Sequence, residues 1–154
     1  MAVYFLDNSA LVKRYIHERG SAWLQTLCQR SRPEDLYIAR IAGAEVVSAI
    51  ARRGRAGHLS SQALTAALDR FQQDFASGYE IIEISPAIID RAMSLARTHF
   101  LRGYDAVQLA IASGLHLLRQ ALGLPILTLV SADTDLNAAA TAEGLGVENP
   151  NNYP

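Results

Sequence analysis

Cysteine is almost missing from this chain: Cys28 is the only one in 154 residues. A lone thiol cannot close an internal bridge, so the fold is expected without disulfides and the chain suits a reducing compartment. Cys28 lies in the helical stretch WLQTLCQR and reads as packing rather than as a nucleophile. Lysine is as scarce, with Lys13 alone, so arginine carries the remaining positive charge. Long hydrophobic runs are also absent. The stretch from Leu124 to Val130 is too short to cross a bilayer, and the opening MAVYFLDNS has neither a basic region nor a small-residue cleavage site. A cytoplasmic location with no membrane partner is the expectation. The net charge of −1 gives no global bias towards a polyanion.

Half of the chain is apolar, enough for one core and one domain over residues 1–154. The pattern predicts a strand at Val3 to Leu6, a helix ALVKRYIHE ending near Gly20, and a helix SAWLQTLCQR. A short strand follows at Leu36 to Ala39, then an alanine- and valine-rich helix from Ile41 to Arg53. Ser60 starts a helix with Leu64, Leu68, Phe71 and Phe75 on one face, and Tyr79 to Ile84 alternates like an edge strand. Pro86 opens another helix. Gly103 to Leu122 is apolar almost all round, which predicts a buried helix. A buried strand at Pro125 to Val130, a helix from Asp133 to Glu143 and a short strand near Val147 complete the reading. Strands alternating with helices predict an α/β fold, a parallel sheet covered on both faces.

Four acids stand out. In such sheets, ligands bind beyond the carboxyl ends of the strands. Asp7 follows the first strand directly, and Asp133 follows PILTLV with only Ser131 and Ala132 between. Each also suits a helix N-cap. Glu45 lies in IAGAEVVSAIA with no basic residue three or four positions away, so its burial would go uncompensated. Asp105 lies in the first turn of the otherwise apolar LRGYDAVQLAIA, where the helix dipole also favours an acid. Carboxylates sharing one pocket repel each other, and a hard divalent ion removes that conflict. A site of oxygen ligands without histidine or cysteine suits Mg²⁺ or Mn²⁺ rather than Zn²⁺. The matching chemistry is phosphodiester hydrolysis.

These residues fall in blocks that resemble PIN-domain ribonucleases, specifically the VapC-type toxins of toxin–antitoxin pairs. YFLDNSALVKRYIHERGS, ARIAGAEVVSAIARRGRAGHLS, LRGYDAVQLAIA and LVSADTDLNAAATAEGLGVENP carry Asp7, Glu45, Asp105 and Asp133 in the family's order. The resemblance implies a PIN-like three-layer α/β/α fold, with a short parallel sheet of four to five strands wrapped by about seven helices. It further implies a Mg²⁺-dependent (or Mn²⁺-dependent) endoribonuclease whose four acids bind metal. It also implies a homodimer silenced by a cognate antitoxin, with RNA as substrate. Ser9 and Ser131 match small hydroxyl positions that support the acids or touch the substrate, though both are also ordinary turn and cap residues. Asp135 either adds to the acidic rim or is a plain first-turn residue. Arg40, Arg52, Arg53, Arg55 and Arg102 are candidates for steering an RNA backbone, and the run at Arg52 to Arg55 also suits a solvated helix end. Three rivals remain: a phosphatase with Asp7 as nucleophile, although Ser9 stands where its second aspartate belongs; a non-catalytic module that binds RNA or a protein partner through the same surface; and a plain structural α/β domain whose acids are all caps.

Overall fold

Five short strands, each followed by a helical segment, line up in parallel because their crossovers return the chain to the same edge. The computed structural model describes residues 2–154. The strands are β1 (Val3–Leu6), β2 (Leu36–Ala39), β3 (Glu80–Ile82), β4 (Leu127–Val130) and β5 (Gly146–Glu148), in the order β3-β2-β1-β4-β5. Seven α-helices accompany them: α1 (Asn8–Leu11), α2 (Ser21–Arg30), α3 (Ala42–Arg55), α4 (Ser61–Ser77), α5 (Pro86–His99), α6 (Gly103–Ala121) and α7 (Thr134–Ala142). β1 is central and pairs with β4 through Leu6↔Val130, so both strands end at the same level. The three-layer α/β/α architecture expected from the sequence is the one found.

Successive strand residues face opposite sides. Val3 and Phe5, with Leu127 and Leu129, join α5, α6 and α7 in one core. Leu6, Leu36, Ile38 and Val130 join α1, α2, α3 and α4 in the other. Phe71 of α4 is buried in the second core, and Leu64, Leu68 and Phe75 pack beside it, the face read from their spacing. Among the described residues, no helix is long and apolar enough to cross a membrane.

Three expectations need correction. The first helix is short: after Leu11 the chain tightens into a 3₁₀ turn at Val12–Arg14. That turn sends Ile16 into the core and brings the Tyr15 hydroxyl to Asp74 at 2.7 Å. Gly20 does not close that helix; with φ +85° it leads into α2. Finally, α6 is not buried to its end, since Leu117, Leu118 and Leu122 are exposed. These residues lie between the buried His116 and Leu127, where β4 begins.

A Cβ on Gly20 would lie 2.4 Å from the carbonyl oxygen of Pro150, in a left-handed backbone. Gly20→Ala is therefore expected to destabilise the protein by more than about 2 kcal/mol. Urea denaturation checks this, and an unchanged midpoint would contradict it.

Candidate active site

Asp7 takes its place from the strand before it. Its backbone N–H continues the β1–β4 ladder by donating to Val130 O at 3.1 Å, which aims its side chain off the sheet edge. The chain then turns into α1, with Asp7 as its N-cap. Asp7 Oδ1 accepts from the Ala10 N–H at 3.1 Å and from Ser9 Oγ at 2.7 Å. Asp7 Oδ2 accepts from Ser131 Oγ at 3.0 Å, across from β4. Ser131 Oγ in turn accepts from the Asp133 N–H at 3.0 Å, while Asp133 caps α7 by accepting from the Leu136 N–H at 2.9 Å. Both aspartates thus serve as caps while standing at the carboxyl ends of neighbouring strands.

Asp105, in the first turn of α6, and Glu45, near the start of α3, are half-buried at the same edge. Their mutual reach is electrostatic. Burial is the main cause raising the Asp105 carboxyl above its ordinary pKa, and the charges of Asp133, Glu45 and Asp135 add to it. Asp135 itself is exposed in the first turn of α7. Burial also pushes Asp7 up to about 6, against its hydrogen bonds to Ser9, Ala10 and Ser131 and with a further push from Asp105. Among the described residues, no three His, Cys, Asp or Glu side chains are placed to hold a metal ion together. Asp7 is fixed by its hydrogen bonds, so a shared ion requires the more exposed Asp105, Glu45 and Asp133 to turn towards it. The donor set fits such an ion: every candidate ligand is a carboxylate oxygen, the preference of Mg²⁺ and Mn²⁺.

The arginines divide. Arg102 stands at the N-cap position of α6 without a side-chain capping bond, and its charge opposes the rise in the Asp105 pKa. Arg40 pairs with Glu83 and lies over the Phe75 ring at 5.6 Å. Arg53 is bound to Glu18 at 2.7 Å, and Glu18 also takes the buried Lys13 at 3.0 Å. Arg52 and Arg55 are exposed and have no carboxylate partner among the described residues. They sit at the far end of α3, about 10–15 Å along the helix from Glu45 by its rise per residue.

Sequence reading passed over three polar residues between the acids. Asn8 Nδ2 and Gln108 Nε2 both donate to the Tyr104 hydroxyl, the latter at 2.7 Å. Gln108 is fully buried. Their signal was available: Asn8 follows Asp7, Tyr104 precedes Asp105, and Tyr104 and Gln108 lie four apart on one helix face.

The site's residues fall within a region, 4–142, that matches the family model described as PIN domain. The chain is similar to ribonuclease VapC45 of Mycobacterium tuberculosis, with 33% identity over 147 residues, covering 96% of this chain and 95% of that one. Its fold is similar to the crystal structure of PAE2754 from Pyrobaculum aerophilum, with a TM-score of 0.65 at 22% identity over 98% of this chain and 91% of that one. It is also similar to a toxin–antitoxin complex from Klebsiella pneumoniae, with a TM-score of 0.60 at 20% identity over 96% and 97%.

The raised Asp7 pKa has a consequence for stability. Its folded value, about 6, lies above the ordinary 3.8, so folding favours the protonated form. Stability without metal is therefore fullest below about pH 4 and falls as pH rises through 6, by roughly 3 kcal/mol for this group. Asp7→Asn lacks that loss. Denaturation in EDTA should find it more stable than wild type at pH 7.5 and similar near pH 4; equal stabilities at both would contradict the burial account.

Proposed function

The chain belongs to the PIN-domain family, and from that premise we propose that it is a divalent-metal-dependent endoribonuclease, the toxin of a toxin–antitoxin pair. The observation that carries this reading is the set of carboxylates at the ends of adjacent strands, with Asp7 buried and Asp105 under the charges of Asp133 and Glu45. The name of the relative VapC45, a ribonuclease, supports RNA as the substrate. Asp7, Glu45, Asp105 and Asp133 would hold Mg²⁺ or Mn²⁺, directly or through water. That ion supplies charge neutralisation for the attacking and leaving oxygens of the phosphodiester.

The protein's own groups prepare the site. Ser9, Ser131 and the Ala10 N–H fix the Asp7 carboxylate in one orientation, so Asp7 itself needs little reorganisation to meet a cation, while Asp105, Glu45 and Asp133 turn towards it. Asp105 and Glu45 come from helices on opposite faces of the sheet, α6 in one core and α3 in the other, and approach the same edge. Asp135 adds negative charge at the rim. Arg102, adjacent to the acids, is the arginine best placed to meet an RNA phosphate; Arg52 and Arg55 can steer the backbone from further away. Arg40 and Arg53 are already engaged with Glu83 and Glu18 and contribute less. The family further implies a homodimer and an antitoxin whose helix fills an apolar groove. A groove between α5 and α6, lined by Ile88, Ile111, Leu115 and Leu118, supports a protein contact on that face.

The test is cleavage of RNA in Mn²⁺ or Mg²⁺. Wild type should cut and EDTA should stop it. Asp7→Asn and Asp105→Asn should each lose at least about a hundredfold in rate while remaining folded. Expression without antitoxin should arrest growth for wild type and not for Asp7→Asn. Full cleavage in EDTA would overturn the metal reading, and a phosphorylated Asp7 would favour a phosphatase instead.

A second measurement separates the arginines. Arg102→Glu should weaken RNA binding and flatten its salt dependence more than Arg53→Glu. Equal effects would contradict the placement of Arg102 at the substrate.

A further inference from the structure

Tyr104 occupies the first turn of α6, immediately before Asp105, and its hydroxyl is gripped from behind. Asn8 Nδ2 and Gln108 Nε2 both donate to its oxygen. A phenol oxygen that accepts two N–H groups has its lone pairs occupied and only its proton left to give. Neither amide can take that proton as they are oriented: Asn8 Oδ1 and Gln108 Oε1 are buried and have no hydrogen-bond partner. No side chain among the described residues accepts it either. The two amides thus hold the hydroxyl oxygen from two sides.

The hydroxyl is also near the acids, since the charges of Glu45 and Asp7 both act on it. A site lined with carboxylates repels a phosphodiester, and a neutral donor there offers attraction without adding another charge to the balance. We infer that the Tyr104 hydroxyl donates a hydrogen bond to a non-bridging oxygen of the RNA phosphate at the cut position. Tyr104 is then a catalytic residue of the chain, held in place by Asn8 and Gln108 as positioning residues. This rests on the nuclease reading above. The competing role is purely structural: the same hydrogen bonds tie the segment that carries Asp7 to the helix that carries Asp105.

Single-turnover cleavage in Mn²⁺ separates the two. The substrates are an RNA of mapped cut site and its two stereopure phosphorothioates at that phosphate, and the proteins are wild type and Tyr104→Phe. Loss of a hydrogen bond to a charged oxygen predicts a slowing of about tenfold to a hundredfold for Tyr104→Phe on normal RNA. One phosphorothioate isomer should slow wild type yet add little to the loss in Tyr104→Phe. The Mn²⁺ affinity of the folded variant, measured by calorimetry, should match wild type within about twofold. The inference is overturned if both sulfur substitutions multiply with the mutation, if Mn²⁺ affinity falls in step with rate, or if Tyr104→Phe cleaves normally. A wild type that cleaves no RNA overturns the nuclease reading and this inference with it; a wild type that cleaves without coupling to Tyr104 overturns this inference alone.

Discussion

Asp7 is buried at the carboxyl end of the central strand with three hydrogen bonds from neutral donors and no basic side chain paired with it among the described residues. The rest of the site is arranged around that constraint. Its backbone N–H extends the β1–β4 pairing, and the Ser131 N–H extends the β4–β5 pairing by donating to Glu148 O at 3.0 Å. The loops after β1 and β4 are therefore set by sheet register before any side chain is considered. Ser131 Oγ then bridges Asp7 and the start of α7, where Asp133 stands. A slip of one residue in β4 would turn Ser131 away from Asp7 and break the link.

The treatment of other acids in the same molecule shows what is unusual here. Asp35, also buried, is paired with Arg32 at 2.8 Å. Glu18 is held by both Lys13 and Arg53. Asp74 lies 3.5 Å from Arg14. By contrast, Asp7, Glu45, Asp105 and Asp133 have no ion-pair partner among the described residues. Neutral donors orient Asp7, but they do not cancel its charge, and its pKa rises accordingly. Uncompensated buried charge is costly for stability. A site that receives a divalent cation recovers that cost on binding, which gives the lack of a basic side-chain partner a physical purpose.

Much of this was legible in the residues. Period-two and helical spacing located the strands and most helices, because Val3–Leu6, Leu36–Ala39 and the Leu64 to Phe75 face follow simple burial rules. The adjacency of β1 and β4, which brings Asp7 and Asp133 to one edge, was not legible, because strand order depends on long-range packing that local spacing does not encode. The shortness of α1 was not legible, since VKRYIH has helical character and only Ile16 and Tyr15 reaching the core tighten it. Nor was the exposure of Leu117, Leu118 and Leu122, where apolar content alone suggested burial. At the site, the acids were visible as charges out of place. The Asn8–Tyr104–Gln108 cluster was legible only in part: its members adjoin Asp7 and Asp105 and two share a helix face, but their meeting depends on α1 and α6 coming together. The basic run at Arg52 to Arg55 stands out as a cluster, yet Arg53 is paired with Glu18, while Arg102, a single residue, is the arginine whose charge acts on Asp105.

The central claim is that carboxylates from four separate segments share divalent ions in the folded protein. Anomalous diffraction from crystals grown with Mn²⁺ tests it most directly. The account requires a manganese peak bonded to carboxylate oxygens of both Asp7 and Asp105, with Glu45 and Asp133 in direct or water-bridged contact. Manganese bound elsewhere with Asp7 and Asp105 free, or no ordered manganese at a saturating concentration, would contradict it.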